Sequence, residues 1–450
     1  MQNLGHLVQS TRCACSESLF QFTIFIMKDC FINVRTDELN HKWKDAIRRE
    51  TELYGRGNGI RTEFERDYTR LLHCQAYRRL KHKTQVFFAP HNDHVCTRME
   101  HVGHVASVAG TIARFLSLNT ELTQAIAIGH DIGHAPFGHH GEDILNNLLK
   151  PKEGANAPKK FWHERNSLFF ADYIETLPDP NGHKRTLNLT YAVRDGIVCH
   201  CGEIDQQGIK PREDAIDLYD IKQPGLVQPF TWEGCIVKVS DKIAFLGRDL
   251  EDALLYHILD YGSYRELREI VAETLGLRKD GSSYSRRSGK AVNTTVLIND
   301  MIMDLCEQSN PAEGLRFSES YARFITELKK FSFRNIYSHW RLLEFQKYAT
   351  CVIETIYRTL MRIQPFVQHG TVPFALSRDY SLGSTFEEWL VSYTNYLPKL
   401  DPDKKKKLRL ETPVVFNVHD NDSYEKCVIE FISGMTDSFA IECYNEIITF

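Results

Sequence analysis

The chain has 450 residues, 42% apolar and 25% charged, with a formal net charge of −4. An apolar fraction of that size in a chain of that length fills a large core, which excludes a disordered chain, a collagen and a small disulfide-stapled scaffold. The slightly acidic balance excludes a uniformly basic nucleic-acid coat, though not a local basic patch. Length alone allows about three domains or one large helical unit.

Residues 1–26 carry no ordered pattern, and the apolar stretch Leu19–Met27 is too short to span a bilayer. They read as an extension upstream of a natural start at Met27, with no small-residue cleavage site behind them. The chain lacks a long apolar run, so a cytoplasmic, membrane-free protein is expected. Its 12 Cys are sparse, and the pairs Cys13/Cys15 and Cys199/Cys201 have one intervening residue, poor spacing for zinc. Free thiols in a reducing compartment are the plain reading.

Helical periodicity dominates and strand-like alternation is scarce. Helices are expected at 62–80 and 100–116, then from an Asn119 or Thr120 cap to about Ile132–Gly133, and at 140–149. Loops follow at 150–160 and 178–186, with helices at 165–177, 189–200 and 232–262. Residues 275–292 form a basic break. Helices resume at 294–308, 316–331 and 339–362, breaks fall at 374–383 and 401–410, a short strand at 412–417, and one or two helices at 424–448. The fold expected is all-α with few or no strands: a catalytic core over 27–270, and a helical region over 271–450 that joins the same compact unit and makes subunit contacts.

The 19 His are unevenly placed and concentrate between His91 and His163. Within that window lies HDIGHAPFGHHGED, residues 130–143. His101 falls on one expected helix and His130–Asp131 at the end of another. Imidazole and carboxylate groups from neighbouring helices can converge on a divalent cation. Gly133, Pro136 and Gly138 supply the irregular backbone that lets an adjacent His and Asp serve one site. Asp241, in IVKVSDKIAFLGRD, is an acid inside an apolar helical pattern, costly unless paired or metal-bound. Taken singly, Asp241 also reads as a helix N-cap, Glu142 as a first-turn acid, and His91, His94, His140 and His339 as ordinary surface or half-buried residues.

With these residues in view, the sequence resembles the HD-domain deoxynucleoside triphosphate triphosphohydrolases, the bacterial dGTPase-like family. The resemblance runs through FERDYTRLLHCQAYRRLKHKTQVF (64–87), TRMEH (97–101), LTQAIAIGHDIGHAPFGHHGED (122–143), WHERNS (162–167), LNLTYAVRDGI (187–197), LKKFSFRNIY (328–337) and FISGMTDSFA (431–440). It implies an HD-type helical fold. It implies one divalent ion, Mg²⁺ or Mn²⁺ or another transition metal, on His101, His130, Asp131 and Asp241. His139 and Glu142, three apart and so on one helix face, resemble the pair acting beside that ion. His134, His163 and Arg98 match phosphate contacts, and Gln85 and Asp249 match residues that hold the sugar 3′-hydroxyl. Without the resemblance, Gln85 reads as surface and Asp249 as a surface ion-pair residue beside Arg248 and Asp252. Arg66, Arg70, Arg78 and Arg79 read as phosphate contacts, subunit contacts or a solvated face.

Two positions depart from the family pattern. Phe245 stands where the family has Tyr, keeping a ring against the sugar but losing the hydroxyl, and HERNS replaces an HNxQS-like block. The resemblance implies hydrolysis of a dNTP to deoxynucleoside and triphosphate, with His139 near the leaving oxygen and Glu142 tuning it. The missing GxxxxGK[ST] run agrees with attack at the α- rather than the γ-phosphate. It also implies a hexamer or tetramer. Two alternatives are an HD phosphohydrolase acting on another nucleotide or phosphoester, and a regulator that senses dNTPs or binds single-stranded DNA through Arg278–Lys290 and Lys404–Arg409.

Overall fold

A computed structural model describes residues 29–53, 59–88, 94–149, 160–202, 208–276, 284, 292–373, 381–397 and 414–449. The N-terminal extension, His91, the loop at 150–159, the basic stretch around 278–290 apart from Tyr284, and the charged turn at 401–410 lie outside these residues.

The described chain is predominantly helical. Its helices are α1 (Trp43–Ala46), α2 (Glu63–His73), α3 (Gln75–Arg79), α4 (Arg98–Phe115), α5 (Thr120–Gly129) and α6 (Gly138–Leu148). Next come α7 (His163–Phe169), α8 (Tyr191–Cys199), α9 (Trp232–Leu255), α10 (Tyr261–Thr274), α11 (Thr294–Gln308) and α12 (Glu319–Ser332). The C-terminal set is α13 (Trp340–Arg362), α14 (Gln364–Gln368), α15 (Ser381–Tyr393), α16 (Asn421–Ser433) and α17 (Asp437–Ile448). The sheet is one antiparallel hairpin, β1 (Thr176–Pro178) and β2 (Lys184–Thr186).

Local chemistry sets the helix starts. Thr62 with Glu65 and Thr97 with Glu100 close reciprocal capping boxes on α2 and α4. Asn119 caps α5 by accepting from Glu121 and Leu122 amides. The centre of the molecule is α9, 24 residues long and buried on most sides, against which α4, α5, α8 and α11 pack. This arrangement carries His101 on α4 and Asp241 on α9 to the same place.

Several expectations need correction. The helix foreseen over 62–80 breaks at Cys74, whose extended backbone lets its sulfur accept from the Tyr77 amide and start α3. The helix foreseen over 232–262 stops at Leu255, with His257 left-handed (φ 55), and Asp260 caps a new one. The 165–177 helix loosens into a π turn at Phe170–Ile174, and the loop after it is the β1–β2 hairpin. Among the described residues of 412–417 there is no strand, only a single bridge from Phe416 to Thr394. Asp241 is not an N-cap: Thr231 caps that helix and Asp241 lies well inside it.

One buried acid of the C-terminal region gives a stability prediction. Glu430 on α16 is 7% exposed, and burial pushes its carboxyl up to about 7, only partly offset by Lys426 and Ser433. The folded state therefore binds a proton that the unfolded state has released between about pH 4.5 and 7, so this group's contribution to stability falls as pH rises through that window. Glu430→Gln should match the wild type near pH 4.5 and exceed it by up to about 3 kcal/mol at pH 8. Chemical denaturation of both proteins across that range measures the difference.

Candidate functional site

Four segments build the site. The first turn of α4 carries Arg98 and His101. The turn after α5 carries His130, Asp131 and His134, the first turns of α6 carry His139 and Glu142, and α7 opens on His163. Asp241, Phe245 and Asp249 come from successive turns of α9. All of them but His130, His134 and Glu142 line a cleft of about 970 Å³, together with Gln85, His200, Tyr337 and the lysines Lys238 and Lys242.

The ligand-type atoms of His101, His130 and Asp131 lie within 4.8 Å of one another, and Asp241 Oδ1 is 2.9 Å from His101 Nε2. The His130 ring has its Nδ1 2.6 Å from the carbonyl of Ala127. A carbonyl only accepts, so the ring proton sits on Nδ1 and the Nε2 lone pair faces the site. That Nε2 is buried and has no partner. Burial keeps the ring neutral by lowering its pKa to about 4. Burial opposes ionisation of Asp131 and Asp241 as well. Yet Arg98 and the neighbouring histidines hold Asp131, and His101 holds Asp241, well below the usual carboxylate range. The neutral His130 imidazole and the ionised carboxylates belong to the donor set a divalent cation needs, so the residues fit a metal ion.

Beside this set stands a second one. His134, His139, Glu142 and His163 hold their ligand-type atoms within 4.8 Å of one another, and the rings of His134 and His163 stack at 4.6 Å. Glu142 bonds mainly to His163, accepting from its amide at 3.1 Å and its Nδ1 at 2.9 Å, while His139 Nδ1 is 3.5 Å away. Burial disfavours charge on His163, but Glu164, Glu142 and Asp131 raise its pKa to about 10. The His139 side chain is 65% exposed and projects into the cleft.

Arg98 is 2% exposed, pairs with Asp131 at 2.8 Å, and keeps Nη2 buried without a partner. Gln85 is buried, not surface, and its Oε1 has no partner either. Asp249 is also buried. Burial raises its pKa to about 6, and it accepts a 2.6 Å bond from the Tyr337 hydroxyl. Arg70 and Arg79 serve the scaffold: Arg70 donates to the carbonyls of Thr186 and Leu187, and Arg79 pairs with Glu175.

The site backbone is strained at one point. Phe137 adopts a left-handed conformation (φ 64), followed by left-handed Gly138 (φ 66). For a residue with a Cβ this costs about 1–2 kcal/mol, and surrounding contacts must impose it. The pair turns the chain sharply into α6 and so aims His139 and Glu142.

Sequence reasoning missed His200, which forms a third ligand-type set with Asp131 and His163 and donates Nδ1–H to the carbonyl of Ile197. It also missed Tyr337, Lys238 and Lys242. His200 stands alone at the end of α8, and only the block LNLTYAVRDGIVCH that it closes could have drawn attention to it.

The HD domain model matches residues 98–246, from Arg98 to the turn that carries Phe245, and the phosphohydrolase-associated domain model matches 315–377. A deoxyguanosinetriphosphate triphosphohydrolase-like protein of Caldanaerobacter subterraneus is 34% identical over 298 residues, covering 66% of this chain and 72% of that protein. One from Desulfatibacillum aliphaticivorans is 36% identical over 281 residues, 62% of this chain and 67% of its own. One from Rickettsia bellii is 28% identical but spans 90% of this chain and 96% of its own. With its His/Asp clusters in the matched region, the chain belongs to the HD-domain phosphohydrolase family, together with the deoxyguanosinetriphosphate triphosphohydrolase-like proteins.

Proposed function

We propose that the protein hydrolyses deoxynucleoside triphosphates, dGTP-like substrates among them, to a deoxynucleoside and inorganic triphosphate. The observation that carries this reading is one continuous cleft. Its lining brings together the metal-ligand residues His101, Asp131 and Asp241, the cationic groups Arg98, Lys238 and Lys242, and the apolar and aromatic residues Val86, Phe245, Phe333, Tyr337 and Leu343. The metal ligands and cations suit a triphosphate, and the apolar and aromatic residues suit a sugar and a base.

His101, His130, Asp131 and Asp241 would hold the divalent ion, which supplies polarisation of a phosphoryl oxygen and acidification of a bound water. The chain's own groups do the rest. The unpartnered Nη2 of Arg98 offers a donor to phosphate oxygens. His139, free to move into the cleft, is placed to exchange a proton with the oxygen that leaves phosphorus. Gln85 Oε1 and the Asp249 carboxylate are acceptors suited to a sugar hydroxyl. Phe245 brings no hydroxyl to this lining, and the Tyr337 phenol, held by Asp249, supplies one.

The test is product analysis with dNTPs, NTPs and dNMPs, singly and mixed, with Mg²⁺ and Mn²⁺. Release of triphosphate and deoxynucleoside is expected. Pyrophosphate with dNMP, or turnover of monophosphates alone, would place the enzyme elsewhere among HD phosphohydrolases. In the same assay Tyr337→Phe should raise KM about tenfold with a smaller change in kcat, because Asp249 loses a charge-assisted bond and its fixed orientation. An unchanged KM would remove Tyr337 and Asp249 from the sugar-binding wall.

A further inference from the structure

The turn that carries His130, Asp131 and His134 is gripped by residues some 300 positions further along the chain. Asp437, in the first turn of α17, is 4% exposed and uses both carboxylate oxygens on backbone amides. Oδ1 accepts from Phe137 N and Oδ2 from Thr84 N, each at 2.9 Å. Phe137 is the left-handed residue that aims α6, and Thr84 precedes Gln85. The Thr84 carbonyl in turn accepts from Arg98 Nε at 3.3 Å. The two segments run close together: a Cβ on Gly138 would stand 3.0 Å from the Gln85 carbonyl oxygen. Buried Lys83 ties the same corner, donating to the carbonyls of His134 and, at 2.9 Å, Ser433. Asn166 donates to the Gly133 carbonyl at 2.7 Å and to Ser433 Oγ at 3.0 Å.

We propose that Asp437 is a positioning residue for this site. Through the amides of Thr84 and Phe137 it fixes the separation between the wall bearing Gln85 and Arg98 and the wall bearing His134 and His139. Its kinetic consequence rests on the hydrolytic reading above. The simpler role is that of a first-turn acid that stabilises α17 alone, and the two roles predict different results. Asparagine at 437 presents one oxygen and one NH₂ group, so it can accept from only one of the two amides.

The experiment compares full-length, metal-loaded Asp437→Asn with the wild type on the four dNTPs, together with amide hydrogen exchange of both proteins. A misplacement of about 1 Å costs on the order of 10²-fold in rate. Turnover per folded molecule should therefore fall by about that factor, with metal content unchanged. Exchange should quicken in peptides over 84–88 and 134–140. Wild-type turnover in the folded fraction, or faster exchange confined to α17, would overturn the proposal. Lys83→Met, which releases the same corner at the His134 and Ser433 carbonyls and leaves the Asp437 carboxylate in place, carries the same expectations if the Asn variant does not fold. Should the wild type break down no dNTP, the functional reading fails, and the exchange pattern alone decides whether Asp437 holds the two walls.

Discussion

Asp241→Ala is expected to yield a folded protein that has lost its divalent metal and falls on the order of 10³-fold in turnover. Asp241 lies inside α9, where alanine suits the helix better than aspartate, so the backbone has no reason to change. Its side chain is 24% exposed at the cleft and faces His101 at 2.9 Å. The charge removed is one of the two carboxylates of the ligand set. Removing a single neutral donor from a charged transition state already costs 10²–10³-fold, so a full ligand should cost at least as much. Added Mn²⁺ should raise the melting midpoint of the wild type and leave that of the variant nearly unmoved, because only a state that binds the ion gains from it. Asp131→Asn makes the informative contrast. It also strips the buried Arg98 guanidinium of its 2.8 Å partner, and stranding a buried charge costs about 3–5 kcal/mol. Its midpoint should drop even without metal, and by more than that of metal-free Asp241→Ala, which loses the partly exposed contact to His101 but strands no buried guanidinium. Elemental analysis and thermal melts with and without Mn²⁺ check both. Full metal content and turnover in Asp241→Ala would remove Asp241 from the metal set.

The reason this site could be read early lies in how its parts are encoded. His101, His130–Asp131 and His134–Glu142 fall within three consecutive helices, α4 to α6, and the first two announce themselves by the cap residues Thr97 and Asn119. Short-range geometry then does most of the work. Asp241 was legible for a different reason: an acid in an apolar helical stripe demands a partner. What stayed hidden is what depends on packing between distant segments. Nothing local in Tyr337 says that its hydroxyl meets Asp249, 88 positions away, or that Asp437 reaches Thr84 and Phe137. The break at Cys74 was hidden because it turns on one ψ angle and a sulfur accepting an amide, in a segment whose apolar period continues unbroken. The pairing of Glu142 with His163 was hidden for a similar reason. A three-residue spacing placed it against His139, whereas the tertiary fold brings it a shorter bond from His163, 21 residues on.

That pairing leads to the second large effect, at Glu142. The helix α7 begins at His163, and Trp162 before it gives no side-chain cap. Glu142 takes over the task from α6, accepting the His163 amide on Oε1 and the His163 ring on Oε2. One carboxylate thus caps a helix, favours that helix's positive end, and fixes a ring that also lies 3.8 Å from Asp131. Glu142→Ala should lose about 1 kcal/mol of stability, the usual worth of a cap, and free the His163 ring to turn. Turnover should fall between about 10²- and 10⁴-fold, the range for losing a group that sets proton transfer. Glu142→Gln separates the two roles. Its amide oxygen can still accept one N–H, so most of the stability should return. Its neutral amide cannot match the charge beside His139 and His163, so turnover should stay at least about tenfold down. Metal content should equal that of the wild type in both, since Glu142 is outside the four-ligand set. If Glu142→Gln turned over at the wild-type rate, the carboxylate would be a scaffold element only, and the proton chemistry would have to rest on His139 and the ordered His134–His163 stack without it.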